Sequence, residues 1–275
     1  MASFTMHNDQ CEVTVDEHAS EIHSFKDIKE NREYMWQADP AYWTGRNPTL
    51  FPMVGSTYDK KLHIKGKEYA IGNHGFTRHS DFTCVEHDDS HIKMQLKDNE
   101  ETLAQYPYHF VLTITYTLKE RTVSIHYEIT NTNKETMPFN FGLHPAFNCP
   151  SDPSKKFEDY KLVFNAPEDI HWLTTNKDQV TELALDRPAL KDTIIIHNPK
   201  STEVSLTDGT HGVTVLFKGY PWLAFWSPKA PFVCIEPWFG HTDFTEVKVP
   251  FEEREGTLFL EAGKTWTADY AIRIQ

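Results

Sequence analysis

Apolar and polar residues alternate over long stretches of this 275-residue chain, as expected for strands that bury one face. Between positions 109 and 131, two alternating runs meet at the polar turn Lys119-Glu120-Arg121, which predicts a β-hairpin. The apolar positions of its second strand are Val123, Ile125, Tyr127 and Ile129. After Gly263 the chain alternates again, which predicts a C-terminal strand.

Further strand patterns lie at 11–15, 33–37, 61–71, 91–97, 161–165, 193–197, 204–217 and 231–238. Two of these contain a hairpin turn of their own, at Lys65-Gly66 and at Asp208-Gly209. Turn residues recur roughly every eight to twelve positions, the spacing of a large sandwich. Only 101–106 suggests a helical turn. We therefore predict an all-β fold, a large antiparallel β-sandwich with few short helices. Since no linker interrupts the pattern, we predict a single domain over 1–275.

The composition narrows the classes of partner. A formal net charge of −13 repels nucleic acid and anionic lipid, and no Lys/Arg cluster offers a local exception. We therefore expect no nucleic-acid or membrane partner, and a neutral small molecule is the easier ligand. A protein of this size could be a monomer or a weak homodimer.

The sequence also indicates a compartment. No stretch resembles a signal peptide or reaches the roughly 18 apolar residues of a membrane helix, so we expect a cytoplasmic protein. Its four cysteines, Cys11, Cys84, Cys149 and Cys234, are widely separated. That spacing predicts free, buried thiols rather than a zinc knot or a redox dithiol.

The segment "GLHPAFN" (142–148) holds a histidine in a constrained place. Pro145 keeps the residue before it out of the helical region and has no N–H for a ladder, so His144 should lie at a strand end. Its imidazole could be a general acid or base, or simply a histidine satisfied by its neighbours.

A second histidine lies in "GNHGFTRHSDF" (72–82), directly after the predicted hairpin 61–71. Gly72 and Gly75 flank His74, and Arg78 follows. Loops at strand ends often carry function, although the same residues would suit a turn in which Gly75 supplies an unusual backbone angle.

A carboxylate follows an unusually apolar strand in "FVCIEPWFGHTDF" (232–244). Burying Glu236 is costly unless it is paired, protonated or catalytic. It could form a salt bridge to Arg78 or Arg46, or act with His144 and His74 in proton transfer. Trp238, Trp226 and Phe239 would suit the C–H faces of a sugar and would equally suit a core.

Other chemistries have less support. The pairs His74/His79 and His87/His91 have zinc-like spacing, but they lie in loop or strand sequence without a third ligand, so we predict no metal site. The sequence lacks nucleophile-elbow, P-loop and dinucleotide motifs.

Five motifs together resemble the aldose 1-epimerase (galactose mutarotase) family, and especially its LacX-like branch. In the family's order they are "EYMWQADPAYW" (33–43), "RNPTLFPMVG" (46–55), "GKEYAIGNHGFTR" (66–78), "FGLHPAFNCP" (141–150) and "CIEPWFG" (234–240). The resemblance spans nearly the whole chain. It implies a galactose mutarotase-like supersandwich and an isomerase that interconverts the α and β anomers of an aldohexose such as galactose or glucose.

The resemblance also implies roles for individual residues. Glu236 is similar to the general base that takes the proton of O1, and His144 to the acid that protonates the ring oxygen O5. His74 is similar to a second histidine that polarises O5. Arg78 and Arg46 resemble arginines that hold substrate oxygens. Trp238 is a candidate sugar platform, and Asp243 a candidate for the aspartate that holds sugar hydroxyls.

Four expectations follow from these roles. The reaction needs no cofactor, and the sugar is its small-molecule partner. Glu236 and His144 should face one pocket across a gap wide enough for a pyranose, with the negative charge of Glu236 keeping His144 protonated. Two alternatives stay open: a hexose-6-phosphate mutarotase, which needs at least two converging basic residues, and a non-catalytic carbohydrate-binding or regulatory sandwich.

Overall fold

The computed structural model describes residues 2–275 and consists mainly of strands joined by turns. In chain order the strands are β1 Ser3–His7, β2 Cys11–Asp16, β3 Ile22–Asp27, β4 Arg32–Glu33, β5 Thr49–Leu50, β6 Lys61–Ile64, β7 Lys67–Ala70, β8 Thr83–His87, β9 His91–Lys97, β10 Phe110–Lys119, β11 Thr122–Asn131, β12 Met137–Phe139, β13 Phe141–Leu143, β14 Ala146–Asn148, β15 Lys161–Trp172, β16 Thr175–Ala184, β17 Ile194–His197, β18 Glu203–Thr207, β19 Gly212–Leu216, β20 Trp222–Trp226, β21 Phe232–Phe239, β22 Leu258–Leu260 and β23 Thr265–Ile274.

The helices are short. In the described residues they are α1 Glu100–Gln105 and α2 Arg187–Lys191, with single 3₁₀ turns at Thr77–His79, Phe157–Asp159 and Phe251–Glu253. A reciprocal cap starts α1: the Asn99 side chain accepts the Thr102 N–H, and the Thr102 hydroxyl accepts the Asn99 N–H, both at 2.9 Å. The prediction of few short helices is confirmed. Within 2–275, no helix is long and apolar enough to cross a bilayer.

Two large antiparallel sheets organise the molecule. The first has nine strands in the order β16-β15-β18-β19-β23-β11-β10-β9-β8. The second has the order β17-β20-β21-β13-β5, with β14 also paired to β21. Strands β1 to β4 form a separate meander, and β6-β7 and β12-β22 form two-stranded ladders.

The two large sheets pack against each other through aromatic and aliphatic side chains. Phe164 of β15 meets Phe225 of β20 at 5.8 Å between ring centroids, and Tyr127 of β11 meets Phe141 of β13 at 4.9 Å. One buried apolar cluster includes residues of both sheets. The predicted antiparallel sandwich is therefore confirmed.

The hairpins predicted within 109–131, 61–71 and 204–217 are confirmed, as is the C-terminal strand. The prediction at 33–37 is wrong: only Arg32–Glu33 forms a strand, and Met35 makes an isolated bridge to Phe147. Strand β16 was not predicted because "TNKDQVTELA" is polar at most positions, as suits a largely exposed edge strand. All four cysteines are free thiols as predicted, although Cys84 is only partly buried.

The loop after β7 approaches the backbone of the segment after β5. Gly75 has φ +74° and forms a parallel bridge with Phe51. A Cβ on Gly75 would lie 2.2 Å from the Phe51 carbonyl oxygen, so only glycine fits. This contact fixes the loop that carries His74.

Gly75→Ala should therefore destabilise the protein by roughly 1–3 kcal/mol more than Gly66→Ala, because only the first adds a backbone clash. Gly66 is a matched control: its φ is +71°, and no atom lies within 4 Å of its added Cβ. The free energy of unfolding in urea measures both variants. Equal losses would contradict the proposed steric role of Gly75.

Candidate active site

The side chains of strand β21 point alternately to the core and to the cleft. Val233 and Ile235 belong to the main core, whereas Cys234, Glu236 and Trp238 lie on the opposite face. All residues from Phe232 to Trp238 are buried, as predicted for an apolar strand. Glu236 lies within this strand rather than after it.

His144 lies directly opposite Glu236 in the sheet. Gly142 pairs with Trp238 and Ala146 pairs with Cys234, so the register on both sides places His144 against Glu236. Pro145 has no N–H to donate, and the ladder is interrupted there between β13 and β14. The backbone is nevertheless held, because the His144 N–H donates to the Pro48 carbonyl at 3.1 Å.

The two side chains meet on the floor of a cleft with a volume of about 530 Å³. His144 Nε2 is 3.3 Å from Glu236 Oε2, and both side chains are buried. His74, Arg78 and Trp238 line the same cleft. The structure thus brings five predicted site residues together, from three separate stretches of chain.

The loop at 72–75 places His74 beside His144. His74 has φ +67°, and its N–H donates to the Gly55 carbonyl at 2.7 Å. The Gly55 N–H donates to His74 Nδ1 at 3.0 Å, so the proton of a neutral His74 ring lies on Nε2. The His74 and His144 rings meet edge to face, with centroids 5.4 Å apart.

The sequence model of the family described as "Aldose 1-epimerase" matches residues 2–273. The chain belongs to the aldose 1-epimerase family. It is an isomerase with a mutarotase-type function, as the resemblance of its motifs predicted.

Individual relatives agree with this family. The plasmid protein LacX of Lactococcus lactis subsp. lactis is 35% identical over 245 residues, which are 80% of this chain and 82% of LacX. A galactose mutarotase related enzyme from Lactobacillus acidophilus has a TM-score of 0.93 at 31% identity, covering 100% of this chain and 97% of that one. A galactose mutarotase-like protein from Lactobacillus casei has a TM-score of 0.90 at 27% identity, covering 100% of both.

Burial controls the charges at the floor of the epimerase cleft. Burial raises the pKa of Glu236. The nearby Trp238 indole acts on this pKa in the opposite direction, although no hydrogen bond joins the two side chains. Burial also lowers the pKa of His144, with His74 and Arg78 adding to the effect. Both shifts favour the uncharged forms of the pair, contrary to the expectation that Glu236 keeps His144 charged.

Arg78 supplies the permanent positive charge of the epimerase cleft. Its side chain is half-buried in a 3₁₀ turn, and burial lowers its pKa. The buried carboxyl of Glu21 acts in the opposite direction and raises the pKa of Arg78. Such a guanidinium is suited to bind the oxygens of a ligand.

Arg46 and Asp243 lie outside the cleft lining, so the expectation that they contact substrate has no support in the geometry. The Arg46 guanidinium contacts the Gln37 carbonyl at 3.3 Å and His23 Nε2 at 3.5 Å. Asp243 forms an ion pair with Arg254 and accepts the Tyr58 N–H at 2.7 Å. Asp243 is therefore committed to holding a loop.

Two cleft residues, Trp43 and Asp192, were not predicted as site residues. The Trp43 ring covers the His144 imidazole at 4.7 Å between centroids, and Trp226 meets it edge on at 5.7 Å. Gly45 leaves room for Trp43, since a Cβ there would lie 2.5 Å from the ring. Asp192, at the C-terminal cap of α2, adds an exposed carboxyl to the lining. The "AYW" of the first family motif was the one available signal for Trp43.

The half-buried His74 should make the epimerase sensitive to acid. Burial, and then Arg78, lower the pKa of His74 from 6.5 to about 3. Between these values the unfolded chain binds a proton that the folded chain does not, so the free energy of unfolding falls as pH falls. The stability is fully present above the unfolded pKa of about 6.5.

Replacing His74 by Asn should therefore flatten the decline of the thermal midpoint between about pH 7 and pH 4. His126→Asn is the control, because that side chain is 40% exposed on the outer face of β11. If His74→Asn and the wild type decline in parallel, His74 is not buried in its neutral form.

Proposed function

We propose that the protein is a cytoplasmic aldose 1-epimerase that interconverts the α and β anomers of a free aldohexose such as galactose or glucose. The observation that carries the proposal is the Glu236–His144 contact at 3.3 Å on the floor of the cleft. Free, reduced cysteines agree with a cytoplasmic setting.

A short contact between acid and base suits this reaction better than the wide gap that we expected. The anomeric hydroxyl O1 and the ring oxygen O5 are both bonded to C1. Two adjacent side chains can therefore reach both oxygens from one edge of the sugar ring, whereas groups a pyranose apart could not. A side-by-side pair is the arrangement that ring opening at C1 requires.

The Glu236–His144 pair carries the protons that one turnover needs. Glu236 takes the proton of O1 as His144 delivers a proton to O5, and the C1–O5 bond opens to the free aldehyde. The pair that starts this step, ionised Glu236 with protonated His144, differs from the resting pair by a single proton. That proton moves across the 3.3 Å contact with no change of net charge. After rotation about C1–C2, the same groups work in reverse to close the ring on its other face.

Neighbouring side chains bind and orient the sugar. His74 offers an Nε2–H beside the acid, and Arg78 and Asp192 offer a donor and an acceptor for hydroxyl groups. Trp43, Trp226 and Trp238 supply flat walls for C–H faces of the ring. Only proton transfers are involved, so the mechanism calls for no metal or organic cofactor.

The charge of the lining favours an unphosphorylated substrate. Among the described lining residues, Arg78 is the single arginine or lysine, and Asp192 and Glu236 are acidic. A phosphate group is normally held by more than one converging cation. A non-catalytic sugar-binding role is disfavoured because both proton-transfer residues are present and touch each other.

Glu236→Gln or His144→Asn should each lower kcat by about a hundredfold or more, the usual scale for a general acid or base. Polarimetry of freshly dissolved α-galactose and α-glucose measures this directly. Glu182→Gln and His126→Asn are matched controls, since these side chains are 55% and 40% exposed on the surface. Wild-type rates in both site variants would remove the pair from catalysis.

Free galactose or glucose should be turned over with a kcat/KM at least about tenfold above that of glucose 6-phosphate, because a single guanidinium poorly neutralises a phosphate. The comparison uses anomerisation rates of the three sugars under identical conditions. A preference for the phosphorylated sugar would replace our proposal with the hexose-6-phosphate alternative.

A further inference from the structure

Beside the Glu236–His144 pair lies a thiol that the proposed reaction does not use. Cys234 shares the cleft-side face of β21 with Glu236, two residues further along the strand. A nitrogen of His144, the Sγ of Cys234 and a carboxyl oxygen of Glu236 all lie within 4.8 Å of one another. All three side chains are buried, and Cys234 is 0% exposed.

We propose that His144, Cys234 and Glu236 form a binding site for one soft divalent cation such as Zn²⁺, and that a cation bound there excludes the sugar. This inference goes beyond proton transfer. Its inhibitory consequence rests on the proposed function, whereas cation binding itself does not.

The distance between the His144 nitrogen and the Glu236 oxygen fits a tetrahedral ion. Zinc binds nitrogen and oxygen ligands at about 2.0–2.1 Å, which corresponds to an N···O edge of roughly 3.3 Å in a tetrahedron. His144 Nε2 and Glu236 Oε2 are 3.3 Å apart. Sulfur binds zinc at about 2.3 Å, so its edges are roughly 3.6 Å. Because Cys234 Sγ lies within 4.8 Å of the other two ligand atoms, it needs a shift of at most about 1.2 Å to reach such an edge.

The ligand types and their access favour a soft cation. Imidazole, thiolate and carboxylate are together typical zinc ligands, and the thiolate selects against Mg²⁺ and Ca²⁺. His144 and Glu236 line the cleft, which gives an ion a path of entry and leaves a fourth position for water.

Binding has a cost that limits its affinity. Burial, and then Glu236, raise the pKa of the Cys234 thiol, which must release its proton to solvent to become a ligand. The charge of the ion offsets this cost, because a coordinated thiol is deprotonated. The bound ion would occupy both proton-transfer groups at once, so it would inhibit competitively with the sugar.

A second group of possible ligands is only partly buried and consists of Asp152, Asp208 and His211. There the Arg32 guanidinium already contributes a positive charge, 3.4 Å from Asp152 and 3.4 Å from His211. That cluster is satisfied by an arginine, and we propose no metal site there. It does provide a necessary control for the experiment.

The test titrates the full-length protein with Co²⁺ and records the thiolate-to-cobalt absorption, with equilibrium dialysis for stoichiometry. The wild type and Cys149→Ser should bind one ion with a thiolate band, because Cys149 is equally buried but outside the group. Cys234→Ser should lose the band and bind at least about tenfold more weakly, since a soft ligand is removed. Glu236→Gln, with Cys234 intact, should also weaken binding, and His211→Ala should not.

Polarimetry then connects the site with activity. Zn²⁺ should inhibit mutarotation competitively with the sugar, and Cys234→Ser should relieve this inhibition while it keeps the basal rate. Cobalt binding without a thiolate band, or equal affinity in Cys234→Ser, would overturn the cation site. Binding at Cys234 in a protein that turns over no sugar would leave the site intact and refute the proposed function instead.

Discussion

The antiparallel register between β21 and the interrupted pair β13/β14 is the constraint on which the candidate site depends. It sets His144 opposite Glu236, and the alternation of β21 turns Glu236 away from the core toward the cleft. A buried carboxyl or imidazole left alone would cost several kcal/mol, whereas each here has the other as its partner. Pairing makes it possible to bury both, and burial in turn sets their protonation.

Two loops from distant parts of the chain build the rim above this pair. Thr242 accepts the Ser56 N–H at 3.1 Å and donates to the Ser56 carbonyl at 3.0 Å. Gly55 allows this approach, since an added Cβ would lie 2.2 Å from Thr242 Cβ. In the same region the Asp243 carboxyl contacts Arg254 and accepts the Tyr58 N–H. Gly55 also holds His74 through two hydrogen bonds, so rim and site share one support.

Burial tunes the site toward neutral forms and neutral ligands. It lowers the pKa values of His144 and His74 and raises that of Glu236. Arg78 keeps its charge. The buried acid Glu21, which lies outside the cleft lining, raises the pKa of Arg78 and so opposes the effect of burial. A polar, uncharged sugar fits these conditions. The adjacent Cys234 adds a soft ligand to the same floor, so the geometry that favours proton transfer also favours a soft cation.

Local patterns in the sequence determined much of this protein. Alternation predicted the strands that are half-buried, and turn residues predicted the hairpins, because side-chain period and backbone sterics act over a few residues. His144 before Pro145, His74 between glycines and Glu236 after an apolar run were recognisable for the same reason. The family motifs added their roles. Strand β16 escaped prediction because an exposed edge strand needs no apolar alternation.

Only the tertiary structure decided which of these groups meet and at what distance. Arg46 and Asp243 lie near site residues in sequence, yet their side chains found partners in His23, Gln37, Arg254 and Tyr58. Trp43 and Asp192 also reach the cleft, and of the two only Trp43 was marked in advance, by the first family motif. The 3.3 Å contact replaced an expected pyranose-wide gap. Such distances follow from strand register and loop packing between residues far apart in the chain, which local sequence does not encode.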